Sequence, residues 1–98
     1  DLVGVTKFPT DKCEKVRFWA SPLEAPYIKT KPIHNSQKVI ELNRDGSAIF
    51  EIDVIVNREL VRLIFGYAEG LKVLSPRKLQ NMIKKHFRLG LENYTTQE

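Results

Sequence analysis

A short polar segment near the middle of the chain holds the residue types that could do chemistry. The stretch TKPIHNSQKV, residues 30–39, contains His34, Asn35, Ser36 and Gln37. A histidine close to a serine supplies a general base and a nucleophile by residue type. Nucleophilic catalysis also needs an orienting group, and neither a glycine-rich elbow nor a nearby acidic residue accompanies this pair. The sequence therefore predicts no catalytic residue and no enzymatic activity.

The same polar side chains can serve the backbone instead. Asn35 and Ser36 are residue types that bond nearby backbone groups and shape turns. His34 and Gln37 then have no evident local task, which makes them candidates for contacts outside their own domain. His34 and His86 fall on different predicted elements and Cys13 on neither. The pattern predicts no metal site and no cofactor.

Composition is that of one ordinary globular domain. The chain has 98 residues and a single cysteine, so an internal disulfide is excluded. No apolar run approaches the roughly 20 residues that a membrane-spanning helix needs. We expect a soluble, cytoplasmic protein without a membrane partner. The chain begins with Asp1 rather than methionine, which indicates a piece of a longer protein.

Positive charge is concentrated at the end of the chain. Residues 1–70 carry equal numbers of basic and acidic residues, whereas residues 71–98 carry six basic and two acidic ones. Helical spacing places five of the six basic residues, all except Lys72, on one face with Asn81. Candidate nucleic-acid contacts on that face are Arg77, Lys84, Lys85 and Arg88. The alternative is a charged face that is merely solvated.

Local patterns predict four strands and three helices. The first predicted element is a strand at 15–20, followed by a short helix that is capped by Ser21 and bent or shortened by Pro26. Two strands then flank the turn Arg44-Asp45-Gly46. A helix capped by Asn57, a strand at 71–74 and a last helix from Pro76 to about Glu92 complete the order. The Ser21 to Glu24 spacing also fits a capping box. This order predicts an α+β, ferredoxin-like βαββαβ sandwich with an added C-terminal helix.

The hairpin strand and the helices predict the core. Ala48, Phe50, Ile52 and Val54 alternate with Glu51 and Asp53, so we expect one core face and one partly wet face. The core residues are expected to pack against Leu63, Ile64, Leu79 and Ile83. The apolar stripe of the last helix continues through Met82, Phe87, Leu91 and Tyr94.

Over residues 15–94 the sequence resembles the C-terminal extension, called WCX, of bacterial WYL-domain transcriptional regulators. The most specific motifs are PIHNSQ at 32–37, FGYAEGLKVLSP at 65–76, and Glu59 with Leu60. Residues 1–14 resemble the connector that enters from a WYL domain. In that family a DNA-binding winged helix comes first, an Sm-like WYL domain second and this extension last. Neither preceding domain is recognisable in these 98 residues.

The resemblance implies a regulatory and dimerisation module that relays effector binding to the DNA-binding domain. The implied partners are the WYL and winged-helix domains of the same protein, a second copy in a homodimer, DNA through the missing domain, and a nucleotide or nucleic-acid effector. The predicted effector or interdomain contacts are His34, Ser36, Gln37, Lys29 and Lys31. The alternative function is a free-standing, RRM-like nucleic-acid-binding module. That alternative is opposed by the two carboxylates, Glu51 and Asp53, on the sheet face opposite the core.

Overall fold

A computed structural model describes residues 12–95 of the chain. Its elements are β1 (Glu14–Ala20), α1 (Ala25–Thr30), β2 (Lys38–Leu42), β3 (Ala48–Val54), α2 (Arg58–Phe65), a 3-10 turn (Ala68–Gly70), β4 (Leu71–Ser75) and α3 (Arg77–Thr95). The predicted α+β class with a four-stranded antiparallel sheet and a C-terminal helix is confirmed. The predicted connector lies mostly outside the described residues. No helix within residues 12–95 has the length and apolarity that crossing a membrane requires.

The sheet is built around its two central strands, β1 and β3. Its strand order is β2-β3-β1-β4, and each neighbouring pair is antiparallel. Phe18 lies opposite Phe50, and their rings stack with centroids 5.4 Å apart. Both rings are fully buried, in a core to which all three helices contribute. The predicted core face of β3 is therefore confirmed.

Two local signals in the sequence form as predicted. Asn57 caps α2, and its Oδ1 accepts a hydrogen bond from the Leu60 N–H over 2.9 Å. The β2-β3 hairpin turns at Gly46, whose φ of +96° falls where a side chain would be strained. The Asp45 carboxylate accepts a hydrogen bond from the Ser47 N–H over 2.8 Å. These bonds are short-range, which explains why sequence alone revealed them.

The start of α1 differs from its prediction. Ser21 Oγ accepts a bond from the Glu24 N–H over 3.2 Å, but it closes a turn, and the helix begins at Ala25. Pro26 consequently lies in the first helical turn, where its missing N–H costs no helical bond. The helix is short, as predicted, with six residues. The predicted cause is wrong, because Pro26 removes no hydrogen bond that would shorten or bend it.

Parts of the predicted core lie at the surface. Leu63 is 46% exposed. Helix α2 ends at Phe65 and does not reach Ala68, whose φ is +53°. On α3 only Leu79 and Ile83 are buried. The other predicted members of its stripe are exposed, namely Met82, Phe87, Leu91 and Tyr94. The apolar stripe of α2 is wider, and that of α3 longer, than the area that the sheet and the neighbouring helices cover.

The outer face of the sheet carries a buried carboxylate. Glu51 is only 4% exposed, so the expectation of a partly wet position is wrong for this residue. It accepts a hydrogen bond from Arg17 Nε over 2.9 Å, and Lys38 Nζ lies 3.5 Å from its other oxygen. The Arg17 hydrogen bond is the largest cause that lowers the pKa of Glu51 below 4.5, against the opposing effect of burial.

The core register predicts a large cost for removing the Phe50 ring. We expect Phe50→Ala to lower the free energy of unfolding by about 3–5 kcal/mol, because it leaves a cavity beside Phe18. Val39 pairs with Phe50 across the hairpin but is 44% exposed, so Val39→Ala should cost less than about 1 kcal/mol. Urea denaturation measures both values. Equally small effects would contradict the register.

The ion cluster around Glu51 predicts a dependence of stability on pH. A carboxyl group whose pKa is lowered by folding stabilises the fold above its ordinary pKa of 4.5 and loses this contribution as the pH falls through the folded value. Between about pH 6 and about pH 3, Glu51→Gln should therefore lose less stability than the parent protein. Exposed Glu41 provides the control variant, Glu41→Gln. Identical pH profiles for Glu51→Gln and parent in urea denaturation would refute this role.

Candidate functional site

The segment between α1 and β2, residues 32–37, forms a loop held by its own side chains, and we call it the 32–37 loop. Ser36 Oγ accepts a hydrogen bond from the Asp53 N–H over 2.8 Å. The same oxygen lies 3.3 Å from the Asp53 carbonyl oxygen. Because Asp53 belongs to central strand β3, these contacts fix the loop to the sheet. Ser36 thus bonds backbone groups, but those of β3 instead of the nearby turn groups that were predicted, and the Asn35 side chain makes no hydrogen bond with a described residue.

Gln37 has a structural task that its sequence context did not reveal. Its Oε1 accepts a hydrogen bond from the Ile33 N–H over 3.0 Å, and its Nε2 donates to the Ile28 carbonyl over 3.1 Å. The side chain thus joins the loop to α1. The interpretation that Gln37 lacks a local task is wrong, while a contact outside the domain stays a prediction.

His34 is exposed and has one ring nitrogen already in use. The Ser36 N–H donates to His34 Nδ1 over 3.1 Å, and Ser36 Oγ lies 2.8 Å from the same nitrogen. When Nδ1 accepts this backbone N–H, Nε2 is the ring nitrogen that remains for another partner. No described residue accepts a hydrogen bond from Nε2. His34 therefore presents Nε2 at the surface.

The His34 and Ser36 pair has the separation of a catalytic dyad but lacks its usual orienting group. In serine-histidine catalysis the second ring nitrogen is held by a carboxylate. Among the described residues no carboxylate is bonded to either nitrogen of His34. Within residues 12–95, no three His, Cys, Asp or Glu side chains lie close enough together to hold a metal ion. The absence of enzymatic activity stays a prediction.

His34 borders a surface cleft of about 340 Å³, which we call the His34 cleft. The residues that line it are Cys13, Ile33, His34, Val54, Ile55, Asn57, Glu59, Leu60 and Leu63. Ile55 and Leu63 are 37% and 46% exposed, which leaves apolar surface open to water. Glu59 adds a carboxylate from the first turn of α2. The cleft thus combines an apolar lining with an imidazole ring and a carboxyl group.

The position of Cys13 places the cleft where the chain enters the domain. Cys13 directly precedes β1 and is exposed. Strand β1 therefore begins beside the His34 cleft.

The other predicted contact residues are more dispersed. Lys29 lies in the last turn of α1 and Lys31 follows it, and both are exposed. Neither lines the His34 cleft. The structure thus brings His34, Ser36 and Gln37 together in one loop and leaves the two lysines on the adjoining helix end.

The candidate nucleic-acid contacts lie along α3, as the helical spacing predicted. Arg77, Lys84, Lys85 and Arg88 are all exposed. Lys84 also borders a second cleft, of about 380 Å³, between α3 and β4. A contact between these residues and nucleic acid stays a prediction.

The outer sheet face fits an RRM-like platform poorly. Trp19 is the only aromatic residue at the outward positions of the central strands β1 and β3. Two basic residues of this face are engaged, since Arg17 pairs with Glu51 and Lys15 Nζ lies 3.2 Å from Asp53. Lys72, which lies opposite Trp19 on β4, is exposed and in no ion pair with a described residue. Recognition of single strands requires stacking surfaces and unpaired positive charge. This face offers little of either.

Several residues of the cleft were not predicted as site residues. Leu63 was assigned to the core because its helical spacing matches that of its buried neighbours. Ile33 and Glu59 carry no signal of their own, because only the fold brings them beside His34. The available signal was the proximity in sequence of Ile33 and His34 to the polar loop.

The two loop residues are expected to differ in their effects on stability. Gln37→Ala should lower the free energy of unfolding by about 1–3 kcal/mol, since it leaves the Ile33 N–H and the Ile28 carbonyl without their partner. His34→Ala should change it by less than about 1 kcal/mol, because the ring is exposed. Chemical denaturation of the 98-residue chain tests both. A larger loss for His34→Ala would identify the histidine as a structural residue.

In a comparison with family models, the WCX domain model matches residues 14–89. This range includes all four strands, the 32–37 loop, the His34 cleft except Cys13, and most of α3. The comparison with curated proteins gives no match.

Proposed function

The chain belongs to the WCX domain family, and from this membership we propose that it is the C-terminal regulatory module of a WYL-domain transcriptional regulator. Its partners are the WYL and winged-helix domains of the same protein and a second copy in a homodimer. It relays occupancy by a nucleotide or nucleic-acid effector in the cytoplasm. DNA is bound by the winged helix, outside these residues.

The observation that carries this proposal is the His34 cleft. It has unpartnered apolar surface at Ile55 and Leu63, and it lies where the chain enters from upstream. A domain interface needs both apolar burial and polar groups that fix its orientation. His34 Nε2 and Glu59 supply a donor and an acceptor for that purpose. A WYL domain, or the ligand held by it, is the partner that this surface would contact.

The loop connections favour transmission of that contact into the sheet. His34 is bonded to Ser36, and Ser36 is bonded to the backbone of Asp53 in β3. A partner that displaces His34 would therefore also displace groups bonded to central strand β3. Chains of hydrogen bonds and packed side chains of this kind can carry coupling between two sites.

We also propose that the domain has the ferredoxin-like arrangement. The order of elements is β-α-β-β-α-β, and β3 lies between β1 and β2 in the sheet. A strand inserted into a βαβ unit in this way is the characteristic of the ferredoxin-like arrangement. We therefore assign the domain to the ferredoxin-like class, with α3 as its additional helix.

The proposed relay predicts a defect in the full regulator that the isolated domain does not share. His34→Ala should reduce the effector-induced change in operator affinity by about fivefold, the loss expected for one hydrogen bond across an interface. Leu63→Ala should reduce it as well, through lost apolar contact. Asn35→Ala is the matched control, because Asn35 is exposed in the same loop and its side chain makes no hydrogen bond with a described residue.

The measurement is a titration of operator DNA with and without effector, on the parent regulator and the three variants. A defect in His34→Ala and Leu63→Ala alone supports an interdomain contact at the cleft. A normal effector response in both variants would contradict the proposed relay. Circular dichroism of each variant verifies that the domain remains folded.

A further inference from the structure

The second cleft, which we call the α3-β4 cleft, lies between helix α3 and the edge strand β4 and has a volume of about 380 Å³. Its apolar walls are formed by Leu71, Val73, Ile83 and Phe87. The first three are buried, whereas Phe87 is 40% exposed. Sites for small molecules usually have volumes of roughly 300–1,000 Å³. The α3-β4 cleft therefore has the size and the apolar lining for a small organic ligand.

Helix α3 supplies an amide and an ammonium group to this cleft. Gln80, Ile83, Lys84 and Phe87 all line it, and they follow the i, i+3, i+4 and i+7 spacing of one helix face. Residues four apart on a helix have Cβ atoms about 6 Å apart. The two polar groups of Gln80 and Lys84 are thus neighbours on the same face, beside an aromatic ring.

The Gln80 amide is held in one orientation. Its Nε2 donates a hydrogen bond to the Val73 carbonyl over 2.9 Å. Because a carbonyl oxygen only accepts hydrogen bonds, the amide nitrogen must face β4. Its Oε1 makes no hydrogen bond with any residue in the range 12–95 that the structure describes. Gln80 therefore offers one acceptor whose position is set by the bond to β4.

Lys84 is the cationic group on the α3 side of the cleft. It is exposed and forms no ion pair with the described residues. Lys72 also borders the cleft, although it lies opposite Trp19 and therefore on the outer face of the sheet. Glu69 adds one exposed carboxylate. Two lysines against one glutamate leave a net positive charge at the border, which favours an anionic ligand.

We propose that the α3-β4 cleft binds a small aromatic acid. Its ring packs on Phe87, its carboxylate lies at Lys84, and a hydroxyl or N–H group on the ring donates to Gln80 Oε1. Phe65 packs against Phe87 at a centroid distance of 4.8 Å, which holds the ring in place while part of it stays exposed. Aromatic pairs are favoured beyond the area that they bury. This site goes beyond the proposed function, because the α3-β4 cleft and the His34 cleft share no lining residue.

The hydrogen bond of Gln80 also disfavours another occupant. An extended protein segment could add to the sheet at β4, and it would bond to the backbone groups at that edge. The Val73 carbonyl is already bonded to Gln80. A small ligand leaves this bond in place, whereas an added strand would compete with it.

The first test is a heteronuclear NMR titration of the 98-residue chain with 4-hydroxybenzoate, up to about 10 mM. The hydroxyl and the carboxylate of this probe lie at opposite ends of one ring, which suits two groups one helical turn apart. We expect saturable shifts of the backbone amides of β4 and of residues 80–87. The expected dissociation constant is about 1 mM, the scale for a ligand of about ten non-hydrogen atoms. No shifts, or shifts outside the cleft, would overturn the proposal.

The second test removes the cation. Lys84→Met keeps an unbranched side chain without its charge and should weaken binding of 4-hydroxybenzoate about twofold to fivefold, the scale for an exposed ion pair. Lys85→Met is the matched control, because Lys85 is the next residue of α3, is exposed and does not line the cleft. Equal losses in the two variants would show attraction by net charge alone and would contradict a site at Lys84.

The third test changes the ligand. The methyl ester of 4-hydroxybenzoate has no negative charge and should bind the parent and Lys84→Met equally. The ether 4-methoxybenzoate cannot donate a hydrogen bond and should bind the parent about twofold to tenfold more weakly than 4-hydroxybenzoate. In Gln80→Met these two acids should bind equally, because the acceptor is absent. Equal binding of the two acids to the parent would refute the contact with Gln80, whether or not Gln80→Met folds.

Discussion

The antiparallel pairing of β1 with β3 is the constraint on which the rest of the domain depends. In this register Phe18 faces Phe50 on the core side, while Arg17 faces Glu51 on the outer side. Because side chains alternate along a strand, a slip by one residue would place charges in the core and aromatic rings outside. The apolar and the ionic pair therefore select the same register. The end of β3, and with it Asp53, is fixed in space as a result.

The geometry of the 32–37 loop follows from that fixed strand end. Ser36 bonds to Asp53 on β3, and Gln37 bonds to Ile28 on α1, so the loop is held from both sides. A loop held by side chain to backbone bonds can present an exposed group in a constant position. His34 uses Nδ1 inside the loop and leaves Nε2 for a partner. Of the four polar residues of the loop, Ser36 and Gln37 hold it, while His34 and Asn35 are exposed.

Features that depend on neighbouring residues were predictable from sequence, and features that depend on tertiary contacts were not. The Asn57 cap and the hairpin at Gly46 involve bonds within a few residues, and both form as expected. The roles of Gln37 and Glu51 depend on partners brought by other elements, Ile28 in one case and Arg17 in the other. The exposure of Leu63 had no sequence signal, since helical periodicity shows which residues share a face and not how far that face is covered.

The His34 cleft and helix α3 are connected by one short helix. Leu63 of α2 lines the His34 cleft, while Phe65, at the end of the same helix, packs edge-on against Phe87 of α3 at a centroid distance of 4.8 Å. Because α2 has only eight residues, the separation of Leu63 from Phe65 is fixed by one continuous stretch of hydrogen-bonded helix. Helix α2 is therefore the element that joins the lining of the cleft to the packing of α3.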